Sequence, residues 1–274
     1  MHVALEVHSL ASGSSGNVIL IKDDSAAVLI DAGVGIRRLT ESLCSVNTDP
    51  ADLCAILITH EHTDHTAGAV RAARRYNVPL VANARTLDAI PGAGGVPSRV
   101  MDVGEEIAFG NISARSFDIS HDAACPVGYT VCGNGASVTN ATDIGVLSPA
   151  IRSEAANADL LIIESNHDEE MLLHGPYPWY LKRRITSERG HLSNDTTSAL
   201  IIDLAESGKC PTIWLAHLSQ INNTPAIALA TAQHLLWTCS GAPMDIAVAQ
   251  RDVPSLHWQQ TNNRYQLSLF AANS

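Results

Sequence analysis

Short apolar runs alternate with segments of helical period along the first third of the chain. "NVILIK" and "AAVLIDAG" are apolar runs bounded by turn residues, and they predict two strands joined by the polar turn "DDS". "GIRRLTESLCSV" follows with Ile36, Leu39 and Leu43 at helical spacing. "LCAILIT" is apolar throughout, as expected of a strand buried on both faces. "AGAVRAARRY" predicts a helix with Ala and Val on one side and Arg71, Arg74 and Arg75 on the other, and "VPLVAN" predicts the next strand. From about Val100 to Asn140 the pattern shortens to successive strands: "EEIAFG", "ISARSFDI", "VGYTVC" and "ASVTNATD". Longer units then return: "SPAIRSEAANA" (helix), "DLLIIES" (buried strand), "TTSALIIDLAES" (helix), "TIWLAH" (strand) and "TPAIALATAQHLLW" (helix). Near the C-terminal end, "DIAVAQ" and "RYQLSLF" are candidate edge strands.

Each half thus runs from strands into strand–helix units. That order predicts two β-rich layers covered by helices, an α/β fold built as a four-layer αββα sandwich. A doubly wound parallel sheet is the competing arrangement, and the run of short strands in the middle disfavours it. With 274 residues, 46% of them hydrophobic, the chain can bury a full core, and 1–274 is expected to form a single domain. No stretch approaches the roughly 18 uncharged apolar residues of a membrane span, so no membrane association is expected. "MHVALEVHSLASGSSG" has no basic leader region and carries Glu6, so no secretory signal is expected. Cys44, Cys54, Cys125, Cys132, Cys210 and Cys239 lack CxxC spacing and lie mostly in apolar runs, which predicts reduced core thiols in a cytoplasmic protein. A net charge of -11 argues against non-specific attraction to polyanions, so any nucleic-acid contact must be local.

The chemistry concentrates in "LITHEHTDHTAG". A buried strand ends at Thr59, and His60, Glu61, His62, Thr63, Asp64 and His65 follow before a helix begins. A tight loop after a strand can point His60 and His62 to one side while Asp64 and His65 face a neighbouring point. Neutral imidazoles and a carboxylate suit Zn, Mn or Fe. Two such ions roughly 3.5–4 Å apart activate a bridging water and stabilise a leaving oxygen. The alternative, a polar loop of solvated histidines, fits poorly with so many ligand types at one strand end. Glu61, lying between them, is expected to face solvent or to support a ligand.

This HxHxDH pattern resembles the motif of the metallo-β-lactamase fold superfamily, and the likeness extends over most of the chain. Within that superfamily the sequence is similar to the YycJ/WalJ-like hydrolases. The matching strings are "LASGSSGN", "THEHTDH", "SHDAACPVGY", "ESNHD", "YPWYLKRRITSERGHLSND" and "LAHLSQINNTP". The resemblance implies a metal set of His60, His62, Asp64, His65, His121, Asp143 and His217, holding two divalent metal ions (Mn²⁺ or Zn²⁺). It implies that Asp31 in "VLIDAG" orients the metal loop and that Asp143 in "ATDIG" bridges both ions. It also implies a cytoplasmic 5′→3′ DNA exonuclease. The fold alone would not, because it hosts lactamases, glyoxalases and nucleases alike.

Read as residues, several of these positions admit other uses. Asp31 can simply cap the turn "AGVG". His121 can be a surface-loop histidine, and Asp143 can be a helix N-cap before "IGVLSPAI". The tripeptide His-Leu-Ser occurs twice, in different settings. His217 follows the buried strand "TIWLA", so the sheet positions it. His191 precedes a helix, with Ser193, Asn194 or Asp195 available as N-cap, and a helix N-terminus favours phosphate. By resemblance to the tRNA-processing members of the superfamily, His191 and Glu164 of "IIESNHD" form a proton-donating pair while His217 holds metal. The other possibility for Glu164 is an unpaired strand-end carboxylate.

Substrate contacts are expected from "ASGSSGN" (Ser12, Ser14, Ser15, Asn17), from Lys182, Arg183, Arg184 and Arg189, and from Asn222 and Asn223. Arg71, Arg74 and Arg75 form a second basic group, and Tyr177, Trp179 and Tyr180 can stack on bases or pack in the core. The expected reaction is attack of a metal-activated hydroxide, held by Asp143, on a phosphodiester. Asp64, Asp143, Glu164 and His191 form the catalytic group, with His191 protonating the leaving 3′-oxygen. The expected partner is DNA, bound at its 5′ end. A small-molecule hydrolase acting on a lactam, lactone or thioester would need neither the basic run nor the Glu164–His191 pair. A non-catalytic metal-stabilised regulator would keep the motifs and turn over no ester.

Overall fold

The computed structural model describes residues 4–241 and 243–260. Its first half runs β1 (Glu6–Ala11), β2 (Val18–Lys22), β3 (Ala27–Ile30), α1 (Ile36–Ser45), β4 (Leu53–Leu57), α2 (Thr63–Thr66), α3 (Ala69–Tyr76), β5 (Leu80–Ala82), α4 (Ala84–Ala89) and β6 (Ser98–Val100). There follow β7 (Glu106–Phe109), β8 (Ile112–Asp118), β9 (Val127–Gly133), β10 (Ala136–Ala141), α5 (Pro149–Ala156) and β11 (Leu160–Glu164). The last stretch holds α6 (Glu169–His174), α7 (Trp179–Ile185), α8 (Asn194–Glu206), β12 (Thr212–Ala216), α9 (Pro225–Cys239), β13 (Ile246–Val248) and β14 (Leu256–Gln259).

The strands form two seven-stranded sheets, β14-β1-β2-β3-β4-β5-β6 and β13-β12-β11-β10-β9-β8-β7. In the first, β1, β2 and β3 pair antiparallel, and β3 to β6 run parallel. The second repeats the switch: β7 to β10 are antiparallel, and β10 to β13 are parallel. Hairpin turns suffice for the antiparallel pairs, whereas parallel neighbours need helical crossovers. Those crossovers supply the outer layers.

Between the sheets, Val28, Ile30 and Leu57 pack against Val127, Tyr129, Val131, Leu160 and Ile162. On the far side of the first sheet, Leu29, Ile56 and Ile58 meet Leu39 and Leu43 of α1 and Ala69, Ala72 and Ala73 of α3. On the far side of the second, Leu161, Ile163 and Leu215 meet Ile151 of α5, Leu200 and Ile201 of α8, and Leu236 of α9. Each fully buried Leu or Ile contributes about 2 kcal/mol of transfer free energy. The result is the predicted four-layer αββα sandwich; the doubly wound alternative fails because there are two mixed sheets. Central strands such as β4 and β11 are apolar because both faces are covered, β11 turning polar only at Glu164, its last residue, at the rim.

Several elements differ from expectation. β1 and β14 carry polar residues at alternate positions and pair with each other at the sheet edge, His8 opposite His257. Alternation over so few positions resembles a loop, so neither strand is predicted by the apolar pattern. "DIAVAQ" supplies the edge strand β13, while "RYQLSLF" lies outside the described residues. The cysteines are corrected: none is fully buried, and Cys44, Cys132, Cys210 and Cys239 are exposed, all as free thiols. Local polarity misleads here, because Cys44 and Cys239 sit on the solvent sides of α1 and α9 and Cys132 points out of β9 between two buried neighbours. Among the described residues no helix is long and apolar enough to cross a membrane.

The turn after β3 is clamped onto the turn after β4. Ala32 N–H donates to His65 O (2.9 Å), Gly33 N–H to Asn17 O (3.0 Å), and Asn17 N–H to Asp64 O (2.8 Å). The approach is so close that a Cβ on Gly33 would lie 1.6 Å from the Asp64 carbonyl oxygen. At Gly94 nothing lies within 4 Å of such a Cβ. Gly33→Ala is therefore expected to cost about 2–3 kcal/mol in urea unfolding, and Gly94→Ala less than about 0.5 kcal/mol. Equal effects of the two substitutions would show that the clamp is not tight.

Candidate active site

All the candidate groups sit at one rim of the sandwich, in loops that leave strand ends. Asp31 follows β3, the His60–His65 loop follows β4, and His121 follows β8. Asp143 follows β10, Glu164 is the last residue of β11, and His217 follows β12. Asp31, Asp143 and His217 hold left-handed backbone conformations, with φ of 62°, 59° and 55°. A non-glycine residue there costs about 1 kcal/mol or more. That strain turns three strand-end side chains inward where an extended continuation would carry them past the rim.

Two ligand clusters result. His60, His62 and His121 form one, with His60 Nε2 3.0 Å from His62 Nδ1. Asp64, His65 and His217 form the other, with Asp64 Oδ2 3.5 Å from His217 Nε2 and 3.7 Å from His65 Nε2. Asp143 lies between them: Oδ2 is 3.0 Å from His65 Nε2 and Oδ1 is 3.6 Å from His121 Nε2. Asp143 does not cap a helix, since Ser148 caps α5.

Outer partners fix the direction of the rings. His65 Nδ1 donates to Asp31 Oδ2 (2.7 Å), and Asp31 also accepts from Thr59 N–H (2.9 Å) and the Thr59 hydroxyl (2.9 Å). His217 Nδ1 donates to Glu164 Oε1 (2.8 Å). His121 Nδ1 donates to the Gly190 carbonyl (3.3 Å), and His60 Nδ1 faces the Thr59 hydroxyl at 3.0 Å. In each case Nε2 is left pointing at the centre, as in metal-ligating histidines, which bind through that nitrogen once it is deprotonated. His60 and His62 present facing ring nitrogens, and Asp143 Oδ2 is buried without a well-directed hydrogen bond. Among the described residues no backbone N–H serves the Asp64 or Asp143 carboxylates, so the donor set fits divalent cations.

Glu164 ties the two His-Leu-Ser segments together. It is completely buried, and Oε1 accepts from both His217 Nδ1 (2.8 Å) and His191 Nδ1 (2.9 Å). Oε2 accepts from the N–H groups of Ile144 (2.9 Å) and Leu192 (3.1 Å). His191 lies before α8, whose N-cap is Ser193, and its Nε2 has no partner among the described residues.

Burial is the largest influence on every one of these groups. At His60 and His121 it prevails and holds both rings below the ordinary histidine range, His60 far below. At His65 burial is outweighed by the attraction of Asp31 and Asp143, which raises the ring well above that range. His217 is pushed up to about 10, because Asp143, with hydrogen bonds to Asp64 and Glu164, outweighs burial. Burial works against ionising Asp64 and Asp143, but the surrounding imidazoles win and lower both. Glu164 likewise falls to about 2, burial being overcome by His191 and His217, while Glu164 in turn raises His191 against burial.

Other expected contacts fare differently. Ser12 Oγ accepts from His217 N–H (2.9 Å), and Asn17 Oδ1 accepts from Gly13 N–H (2.8 Å), so both brace the rim from within. Asn222 and Asn223 are buried; Asn223 donates to the carbonyls of Ser165 (2.9 Å) and Asn166 (3.1 Å) and is spent as an internal brace, whereas the Asn222 amide meets no hydrogen bond among the described residues. Of the basic run, Lys182 donates to the Leu173 and Gly175 carbonyls (2.7 and 2.8 Å). Arg184 pairs with Asp122 (2.6 Å), and Arg189 donates to the His121 carbonyl (3.1 Å). Arg183 alone of the four is uncommitted among the described residues. Ser14 and Ser15 are exposed, and Arg71, Arg74 and Arg75 line the solvent face of α3. Trp179 and Tyr180 are exposed, which excludes core packing for them. Glu61 Oε1 accepts from Ala124 N–H (2.8 Å), joining the metal loop to the His121 loop. Thr59 and His167 were missed by sequence reasoning; only a strand-end hydroxyl and a third residue after Glu164 hinted at them.

Residues 26–214 match the family described as "Beta-lactamase superfamily domain". Exodeoxyribonuclease WalJ of Streptococcus pneumoniae serotype 2 is 41% identical over 229 residues, spanning 81% of this chain and 84% of the relative. Exodeoxyribonuclease YycJ of Bacillus anthracis is 35% identical over 238 residues, spanning 85% and 90%. In structure, the metallo-β-lactamase fold protein YhfI from Bacillus subtilis matches with a TM-score of 0.70 at 14% identity, covering 94% of this chain and 100% of that one.

The charge states carry a test. His65 and His217 are protonated at neutral pH in the metal-free protein, whereas His60 and His121 are neutral and the carboxylates ionised. Metal uptake at pH 7.5 is therefore expected to release about two protons per protein, measured by titration calorimetry in buffers of different ionisation enthalpy. Uptake without proton release would contradict this charge arrangement.

Proposed function

The chain belongs to the metallo-β-lactamase superfamily, among its WalJ/YycJ-like metallo-hydrolases, and from that premise we propose that it is a dinuclear metal-dependent phosphodiesterase, a 5′→3′ DNA exonuclease. The hydrolase class follows from the family and the His/Asp cluster. The exonuclease reading rests on the two exodeoxyribonuclease relatives and on one observation, the Glu164–His191 pair beside the ligand clusters. A thiolate leaves a thioester without a proton, whereas an alkoxide leaving group needs an acid such as this buried, charge-coupled pair.

His60, His62 and His121 would hold one ion, Asp64, His65 and His217 the other, with Asp143 facing both. Divalent ions there, Mn²⁺ or Zn²⁺ by ligand type, supply the Lewis acidity that activates water and neutralises charge developing on the phosphate. Asp31 and Glu164 act as positioning residues, aiming His65 and His217. Glu164 also keeps the proton on His191: its carboxylate accepts from Nδ1, so the imidazolium presents Nε2–H outward. The leaving 3′-oxygen takes that proton, and Glu164 stays ionised throughout.

Overall negative charge keeps non-specific DNA binding weak, so recognition falls to the rim, near Arg183 and the exposed Trp179 and Tyr180. A cytoplasmic location accords with six free cysteines.

The test uses Mn²⁺-loaded protein with 5′-phosphorylated oligonucleotides, alongside nitrocefin and a thioester. Wild type is expected to release mononucleotides, and Asp64→Ala to abolish release. His217→Ala should lose bound metal. His191→Ala should keep its metal and lose about 10²–10⁴-fold in kcat. Turnover of nitrocefin or thioester alone would make the chain a small-molecule hydrolase, and no turnover of any ester would make it a regulator. An emptied metal site in His191→Ala would exchange the assignments of the two histidines.

A further inference from the structure

A cavity of about 530 Å³ opens on the His191 side of the candidate site. His167, His191, Thr196, Leu172, Trp179 and Arg183 are among the residues that line it. Its size falls in the range of about 300–1,000 Å³ typical of small-ligand sites, enough for one nucleotide and too small for a folded duplex end.

His167 has no role in holding the ligand clusters. It is only 2% exposed, its Nδ1 is buried without a hydrogen-bond partner, and its ring bonds to no side chain among the described residues. Its backbone is fixed by a bridge to Ser193 and by Asn194 N–H donating to its carbonyl (2.8 Å). A buried polar side chain that is rigidly placed, unpartnered and lining a cavity awaits a polar ligand. Burial, the main influence, keeps the ring neutral, so it can donate through one nitrogen and accept through the other.

The charges in the cavity are also sorted. Glu169 accepts from Ser193 Oγ (2.9 Å), and Glu170 faces His174 (3.2 Å). Lys182 is spent on the Leu173 and Gly175 carbonyls, which pins α6 to α7. Arg183 remains uncommitted, one turn along α7 from Trp179 and thus on the same helix face. With both glutamates engaged elsewhere, Arg183 is the cation left to meet an anionic group in the cavity.

Resting on the exonuclease reading, we propose that this cavity seats the 5′-terminal nucleotide of the DNA strand. Trp179 stacks on its base, His167 hydrogen-bonds its polar edge, and Arg183 takes its 5′-phosphate. The geometry follows from the chemistry. The proton of His191 goes to the departing 3′-oxygen, so the nucleotide carrying that oxygen must lie beside His191, and the cavity is what lies there. Water oxygen bonds to phosphorus as the P–O3′ bond breaks, the 3′-oxygen leaves with the His191 proton, and the proton lost by water returns to His191 through solvent. The remaining strand then ends in a new 5′-phosphate, the same group that Arg183 recognises. Each turnover thus recreates the ligand for the next.

The proposal is tested with Mn²⁺-loaded protein on single-stranded oligonucleotides bearing a 5′-phosphate or a 5′-hydroxyl. Wild type is expected to favour the 5′-phosphate by about tenfold in kcat/KM, and Arg183→Gln to lose that preference. Trp179→Ala should raise KM about tenfold on both substrates with kcat little changed. His167→Gln, which keeps a polar donor and acceptor, should retain more activity than His167→Ala. Metal content and melting temperature equal to wild type show that the fold persists in each variant. DNA cleavage by wild type with no 5′-phosphate preference, or unchanged KM in Trp179→Ala, overturns the pocket and leaves the exonuclease reading standing. No cleavage by wild type overturns the exonuclease reading itself, and the pocket falls with it.

Discussion

Asp31, Asp143 and Glu164 are each almost wholly buried at one rim of the sandwich, and a buried ionised carboxylate is expensive unless its oxygens are met by donors. Glu164 is met four times, by two imidazoles and two backbone N–H groups. Asp31 is met by Thr59 and His65. Asp143 is met only by imidazoles, with one oxygen lacking a directed hydrogen bond. That graded satisfaction organises the rest. The two satisfied carboxylates are struts that aim histidines, and the unsatisfied one marks where cations balance the charge.

The struts explain why one histidine tripeptide serves two ends. A single oxygen of Glu164 accepts from both rings, so His217 and His191 share an orienting group. His217 leaves β12 with its backbone in the left-handed region, which turns its ring into the cluster. His191 stands before α8 at the edge of a cavity, with Nε2 uncommitted. Position around Glu164, and not residue type, separates the ring turned into the ligand clusters from the ring left at the cavity edge.

The same economy governs the basic segment. Its charges are mostly internal braces: Arg184 and Arg189 hold the His121 loop, and Lys182 holds the turn between α6 and α7. A chain with a net charge of -11 thereby keeps a rim whose cations are few and directed, which weakens non-specific attraction to a polyanion.

The layered architecture was legible in the sequence because apolar periodicity reports burial, and burial on both faces of β4 and β11 can arise only between layers. The cluster His60–His65 was legible because so many ligand types occupy one short loop. The edge strand β14 and its neighbour β1 were not, since their alternating polar residues look like loop over so few positions. Nor were the cysteines, whose exposure depends on which side of a helix or strand faces solvent. The uses of Asp31 and Asp143, open between capping and orienting in the sequence, were decided by partners distant in the chain: His65 for one, both clusters for the other. Asn223, Arg184 and Arg189 read as substrate contacts because polarity in sequence does not reveal whether a partner already waits. The sequence by itself determined the layers, the ligand types and the strand ends that carry them, because these depend on local pattern. Only the tertiary structure decided which side chains share a carboxylate, which are spent as braces and which face a cavity, because hydrogen bonds between residues far apart in the chain exist only once the sheets have packed.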